Sequence, residues 1–303
     1  MPYMGSKSSV AGKIIESLPS ADSFVDLFGG GGAITHAAVL SGKYKNVYYN
    51  EIDPLVVDLF KRAINGDFNY DKFKPEFITR DRFFAEKDKD GYISVVWSFG
   101  NNKEKGYLFG KDIEKEKCAL HNVVIFGEFS DLAKELLGVD KVPTYLKTIL
   151  AKRLWVKGVI KKRLITRVGE QLEQLQRLQQ LEQLQRLERL QQLEQLERLQ
   201  QLERLEPLNF SCLDYKNFPL IGGDVIYYCD PPYKGTERYS SQIDHDHFFN
   251  FAAELPYPCY VSEYDLKDNR FVEFLSVVKR QTLSATNNSK KNFEKVYVNK
   301  VGC

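Results

Sequence analysis

The sequence predicts an α/β protein whose core is a Rossmann-like, doubly wound and mostly parallel sheet, with strands drawn from both ends of the chain. Three observations predict it. An apolar strand pattern at 23–28 runs into Gly29-Gly30-Gly31-Gly32 and then into a helix-forming run at 33–40. A second pair follows, a strand pattern at 46–50 and an amphipathic helix pattern at 55–64. Far downstream, an apolar strand at 224–229 ends at Asp230-Pro231-Pro232-Tyr233. Short apolar strands alternating with amphipathic helices read as parallel strands covered on both faces, because each connecting helix buries its apolar stripe against the sheet.

In chain order, apolar residues between 10 and 18 repeat at helical spacing ahead of the first strand. From about 65 to 167 the pattern loosens into mixed aromatic and charged residues without βα alternation, which assigns an inserted module to this stretch. The alternation returns with 224–229 and an apolar strand at 257–261, so the sheet is split in sequence. Between the two, leucine recurs at every third position from 172 to 208, with Gln, Glu and Arg in the gaps. All four residue types are strong helix formers, so propensity predicts an α-helical rod. A three-residue step turns about 300° on an α-helix, however, so the leucines would spiral round it. A 3₁₀-helix or a stacked solenoid would align them instead. Acids outnumber bases in this leucine triplet-repeat element, making it a poor phosphate-binding surface. It reads as a spacer, or as an element for self-association through residues 172–208.

A chain of 303 residues holds one full α/β domain plus an insert of roughly a hundred residues. Its apolar fraction of 43% and aromatic fraction of 13% are those of a folded globular protein. No apolar run approaches the ~18 residues of a membrane span, and residues 1–7 lack an apolar core followed by a cleavage site. A cytoplasmic protein without a membrane partner is therefore expected. Cys118, Cys212, Cys229, Cys259 and Cys303 are odd in number and form no C-x-x-C pair, pointing away from a disulfide framework or a zinc site. The formal charge of +2 selects no partner by itself; its uneven distribution is more informative.

Two motifs carry chemistry. Asp26-Leu27-Phe28 followed by four glycines at a strand end lets the backbone approach a ligand closely, as a nucleotide or nucleoside site requires, and Glu51 after the second strand suits paired ribose hydroxyls. Such a glycine turn can also be a bare connection. The spacing fits neither a dinucleotide fingerprint nor a P-loop, which disfavours nicotinamide cofactors and ATP. Asp230-Pro231-Pro232-Tyr233 is the sharper signal. Two prolines fix the loop and remove two amide hydrogens, leaving carbonyl oxygens to face a reacting group. An exocyclic base amine is a weak nucleophile, and accepting its hydrogen bonds with Asp230 and a proline carbonyl returns electron density to nitrogen. Tyr233 would stack on the base once it has left the duplex.

With these motifs in this order, the chain resembles the Dam-like, alpha-group (D12 class) N6-adenine-specific DNA methyltransferases, over residues up to about 64 and from about 224 to 299. The resemblance implies S-adenosylmethionine as cofactor and double-stranded DNA as substrate. By it, Tyr3-Met4-Gly5-Ser6-Lys7 is similar to the N-terminal cofactor motif, Tyr3 packing on the cofactor and Lys7 contacting it. Asp26, Phe28, Gly29 and Gly31 fall in the motif around the methionine moiety, and Glu51 in the place of the ribose-binding acid. Asp230 to Tyr233 resembles the catalytic motif, with Asp230 also reaching the cofactor, and Tyr260-Val261-Ser262-Glu263-Tyr264 the strand-end motif after it. Glu51 stands where the family usually has Asp, one methylene shorter. The implied organisation is a cofactor-binding half at 1–66, a target-recognition insert at 67–168, the leucine tract at 169–208 and a catalytic half at 209–303. Methylation of adenine in RNA, and a non-catalytic DNA-binding or assembly protein, are the rival readings. Direct displacement from sulfonium to nitrogen calls for no metal.

For DNA, Lys147, Lys152, Arg153, Lys157, Lys161, Lys162, Arg163 and Arg167 form a basic stretch interleaved with Leu154, Trp155, Val156 and Ile160. This is either a phosphate-binding surface or a solvated helix face. Trp97, Asn101 and Asn102 combine a ring with amides of the kind that wedge into a stack or read adenine edges; Trp97 and Phe99 are otherwise core residues. His36 and His121 read as structural, and His245 and His247 as a polar loop.

Overall fold

The computed structural model describes residues 1–69, 73–170, 208–233, 243–279 and 292–302. The leucine triplets from 172 to 205, with the rod and self-association read there, lie outside the described residues. Leu208, the last of the series, is instead the first residue of a strand. The chain forms two compact units, one of Met1–Gly66 with Leu202–Cys303 and one of Asp67–Gln201.

The first unit carries seven strands: β1 (Ala21–Asp26), β2 (Tyr44–Asn50), β3 (Leu208–Ser211), β4 (Val225–Cys229), β5 (Cys259–Glu263), β6 (Phe271–Lys279) and β7 (Asn292–Asn299). They form one sheet in the order β3-β2-β1-β4-β5-β7-β6. Strands β1 to β5 pair in parallel, and β7 lies antiparallel between β5 and β6. This is a mixed α/β fold on a mostly parallel sheet.

Side chains alternate between the two faces along each strand. Phe24, Ile226, Tyr228, Tyr260, Val296 and Val298 pack on one face with Ile14 of α1 (Ala11–Ser17) and Ile34 and Ala38 of α2 (Ala33–Ser41). Val25, Tyr227, Cys229, Val261 and Tyr297 pack on the other, against a helix at His245–Glu254. The continuous apolar run of β4 follows from burial on both faces. Helix α3 (Pro54–Ile64) starts cleanly: Asp53 caps it, its Oδ1 accepting from the Leu55 amide at 2.9 Å, and Pro54 occupies the first turn, where no amide hydrogen is needed.

The described elements of the second unit are helical: α4 (Arg80–Glu86), α5 (Gly91–Val96), α6 (Glu114–Ile125), α7 (Asp131–Leu137) and α8 (Ile149–Glu170). Thr79, Asp90 and Ser130 cap the first amides of α4, α5 and α7. Its core gathers Phe77, Trp97, Phe109 and the buried His121, whose pKa is pushed down to about 4 by desolvation. The helix at His245–Glu254 is α9. His245 and His247 belong to it and not to a polar loop, because Asp244 caps it and Phe248, Phe249 and Ala252 give it a buried stripe.

Candidate active site

The carboxyl ends of β1 and β4 lie side by side where the strand order reverses direction, the place where open α/β sheets bind ligands. A cleft occupies this point. Tyr3, Lys7, Asp26, Phe28, Gly29, Gly31, Glu51 and Asp230 all line it. Pro232 lines it too, whereas Pro231 of the same loop is buried and does not.

The glycine loop is held against β2. The Gly29 amide donates to the Asn50 carbonyl at 2.7 Å, and the Tyr49 hydroxyl donates to the Gly30 carbonyl at 2.7 Å. A Cβ on Gly29 would stand 2.2 Å from the Tyr49 ring, so only glycine fits. Gly30 has φ +46°, the left-handed region glycine tolerates. Glu51 buttresses the same loop: Oε2 accepts from the Gly30 amide at 2.9 Å and Oε1 from the Asp53 amide at 3.1 Å. Burial raises its pKa.

Asp26 is fully buried, and desolvation pushes its pKa up to about 7. Its Oδ2 accepts from the Thr35 hydroxyl at 2.6 Å and the Thr35 amide at 3.1 Å, while Oδ1 has no hydrogen-bond partner among the described residues. Six carboxylates line the cleft (Asp26, Glu51, Asp53, Asp214, Asp230 and Asp244) against two lysines, Lys7 and Lys216. Such a lining favours a cationic ligand over a polyphosphate.

Asp230 meets Lys7 at 2.6 Å between Oδ1 and Nζ, and Lys7 is 3.4 Å from the buried Glu294. Tyr233 donates its hydroxyl to Glu294, the Lys7 ammonium stands 4.7 Å from its ring centroid, and Tyr264 packs edge-on at 4.5 Å. Desolvation and the neighbouring carboxylates raise the Tyr233 pKa far above its ordinary value. Tyr233 is buried, so little of its ring is open for stacking; the exposed ring beside it is Tyr264.

Several residues escaped the sequence reading. Asn50 links three strand ends, its Nδ2 donating to the Leu27 and Leu213 carbonyls and its Oδ1 accepting from Ser211 and the Leu213 amide. Asp214 and Tyr215 line the cleft just after β3, and Phe28 packs on Tyr215 at 5.5 Å. The signal for them was the alternating Leu208–Ser211 strand followed by a polar turn, obscured by the leucine series it continues. Glu294 carries an acid in an otherwise apolar strand face.

In the second unit, Trp97 is fully buried among Phe77, Phe109 and His121, and so packs the core instead of wedging into a base stack. The exposed ring of that loop is Phe99. Asn101 donates to the Val95 carbonyl and buried Asn102 accepts from the Glu104 amide, so both amides serve their own loop. On α8, Lys152, Arg153, Lys161 and Lys162 lie along one helix with Val156 and Ile160 buried. Arg163 reaches back to the Glu135 carbonyl at 3.1 Å, where it covers the end of α7.

Among the described residues, no helix is long and apolar enough to cross a membrane. A search of curated proteins gave no match. The family model for D12 class N6 adenine-specific DNA methyltransferases matches residues 3–298. S-adenosylmethionine is the cofactor expected for that family. The chain therefore belongs to the D12 class N6 adenine-specific DNA methyltransferases and is an enzyme that methylates adenine N6 in DNA with S-adenosylmethionine.

Proposed function

We propose that the enzyme extrudes its target adenine from duplex DNA and methylates it at the cleft between β1 and β4, with Asp230 and the following proline carbonyl accepting the hydrogen bonds of the amine. The observation that carries this reading is the position of Asp230, on the cleft wall and tied to Lys7 at 2.6 Å. The free Oδ1 of Asp26, the glycine cradle and the acidic lining fit a ligand with cationic groups and a nucleoside. Tyr3, Lys7, Asp26, Phe28, Gly29, Gly31 and Glu51 would hold it. When bound, the cofactor supplies an electrophilic methyl on sulfonium.

Asp230 and the loop carbonyls raise electron density on N6 and stabilise the positive charge that develops there. Pro231 and Pro232 keep this loop rigid, so no reorganisation accompanies attack. The extruded base stacks on the exposed ring of Tyr264, which Tyr233 braces edge-on from the buried side. The second unit supplies target recognition, with Lys152, Arg153, Lys161 and Lys162 on backbone phosphates and the exposed Phe99 loop near the bases. A solvated helix face alone would need no such run of bases without an intervening acid.

Base extrusion is tested by replacing the methylated adenine, once mapped, with 2-aminopurine. A several-fold rise in fluorescence on binding with a cofactor analogue is expected. Binding without a rise, on a site that wild-type enzyme methylates, would contradict extrusion.

A further inference from the structure

We propose that Glu294 is a positioning residue for methyl transfer, holding the Tyr233 hydroxyl and sharing Lys7 so that the Asp230 carboxylate stays available to the target amine. The inference rests on the assignment of Asp230 above. Glu294, Val296 and Val298 share one face of β7 by the two-residue strand period. Val296 and Val298 enter the core beneath α1 and α2, whereas Glu294, 1% exposed, puts a carboxylate in that row. Because β7 is antiparallel to β5, with Lys295 opposite Glu263, its first residues stand at the carboxyl edge of the parallel strands, beside the Asp230 loop.

There, Glu294 Oε1 accepts the Tyr233 hydroxyl hydrogen bond and lies 3.4 Å from Lys7 Nζ. The same ammonium is 2.6 Å from Asp230 Oδ1. A buried cation has to be matched by anions. One lysine against Asp230 alone would be neutral, and its full charge would draw on the oxygen that must accept from the amine. With Glu294 the cluster carries one net negative charge, which opposes the positive charge developing on N6 during attack. The Tyr233 hydroxyl bond fixes the end of the loop whose beginning is Asp230.

The test measures single-turnover methyl transfer, cofactor affinity and melting temperature for wild type, Glu294→Gln, Glu294→Asp and Asp230→Ala. Glu294→Gln keeps an acceptor for Tyr233 but loses the charge. Its transfer step is expected to slow about 100-fold, the scale of removing one preorganised electrostatic group, with cofactor affinity largely kept. Glu294→Asp restores the charge and is expected to transfer about tenfold faster than Glu294→Gln. Transfer by Glu294→Gln at the wild-type rate, or no advantage of Asp over Gln, overturns the inference. If Glu294→Gln does not fold, Glu294→Asp decides: slowed transfer with cofactor affinity kept supports the role, and unchanged transfer overturns it. Activity in Asp230→Ala would overturn the assignment of Asp230 itself; an inactive Asp230→Ala beside a fully active Glu294→Gln overturns only the role of Glu294.

Discussion

Asp26 receives two hydrogen bonds from Thr35, yet burial keeps its pKa at about 7. An acid raised by folding favours the protonated native form. Its contribution to stability is therefore greatest below the ordinary value of 3.8, falls as pH rises toward 7 and is level above that. A cationic cofactor favours the carboxylate, so binding should expel this proton. Affinity is expected to weaken about tenfold for each pH unit below 7 and to level off above it. Calorimetric titration at pH 6 and pH 8 checks this, and equal affinities would refute it. Gly29 makes a second prediction at this scale. A methyl at 2.2 Å from the Tyr49 ring must displace the loop or the ring, so Gly29→Ala is expected to lose about 1–3 kcal/mol of stability and most cofactor binding. Denaturant melts and the same titration would show it.

Elements were legible where the residue period matched their environment. β4 read clearly because it is buried on both faces and apolar throughout, and β1, α2, β2 and α3 because short apolar or aromatic cores at their strand ends alternate with helix-forming runs. β3 was hidden, since Leu208 continues the leucine spacing and only the residues after it break the pattern. β6 and β7 pair antiparallel, and charged residues such as Glu273 and Lys295, joined at 2.9 Å outside the core, interrupt their apolar patterns. The cleft residues at 26–31, 51 and 230 were legible as motifs, but Asn50 and Glu294 act through contacts with residues remote in sequence. The Trp97 loop shows the converse: its composition suits base contact, but packing against Phe77 and His121 places the ring inside. Trp97→Ala is expected to destabilise the second unit by about 3–5 kcal/mol, measured by hydrogen exchange of α5 and α6. A change near zero would return Trp97 to the DNA surface. On α8, changing Lys152, Lys161 and Lys162 together to Gln should weaken binding to all duplex sequences alike. The slope of log affinity against log salt should fall by up to about 3. An unchanged slope would make α8 a solvated face.

At the scale of the molecule, the sheet gathers residues from 3 to 294 at one edge, while residues 67–201 form a second unit whose described elements are helical. A net formal charge of only +2 conceals two opposed local fields. The cleft is lined by six carboxylates and two lysines, and α8 carries lysine and arginine without acids between 152 and 163. Under the proposed roles, the first field suits a cationic methyl donor and the second a polyanion. The most direct measurement is transfer of labelled methyl from S-adenosylmethionine to duplex DNA by wild type and Asp230→Ala, with cofactor binding and the methylated base identified for each. Wild type is expected to give N6-methyladenine. Asp230→Ala is expected to bind cofactor yet transfer at least about 100-fold more slowly. Equal transfer by the two proteins would contradict the placement of the reaction at Asp230.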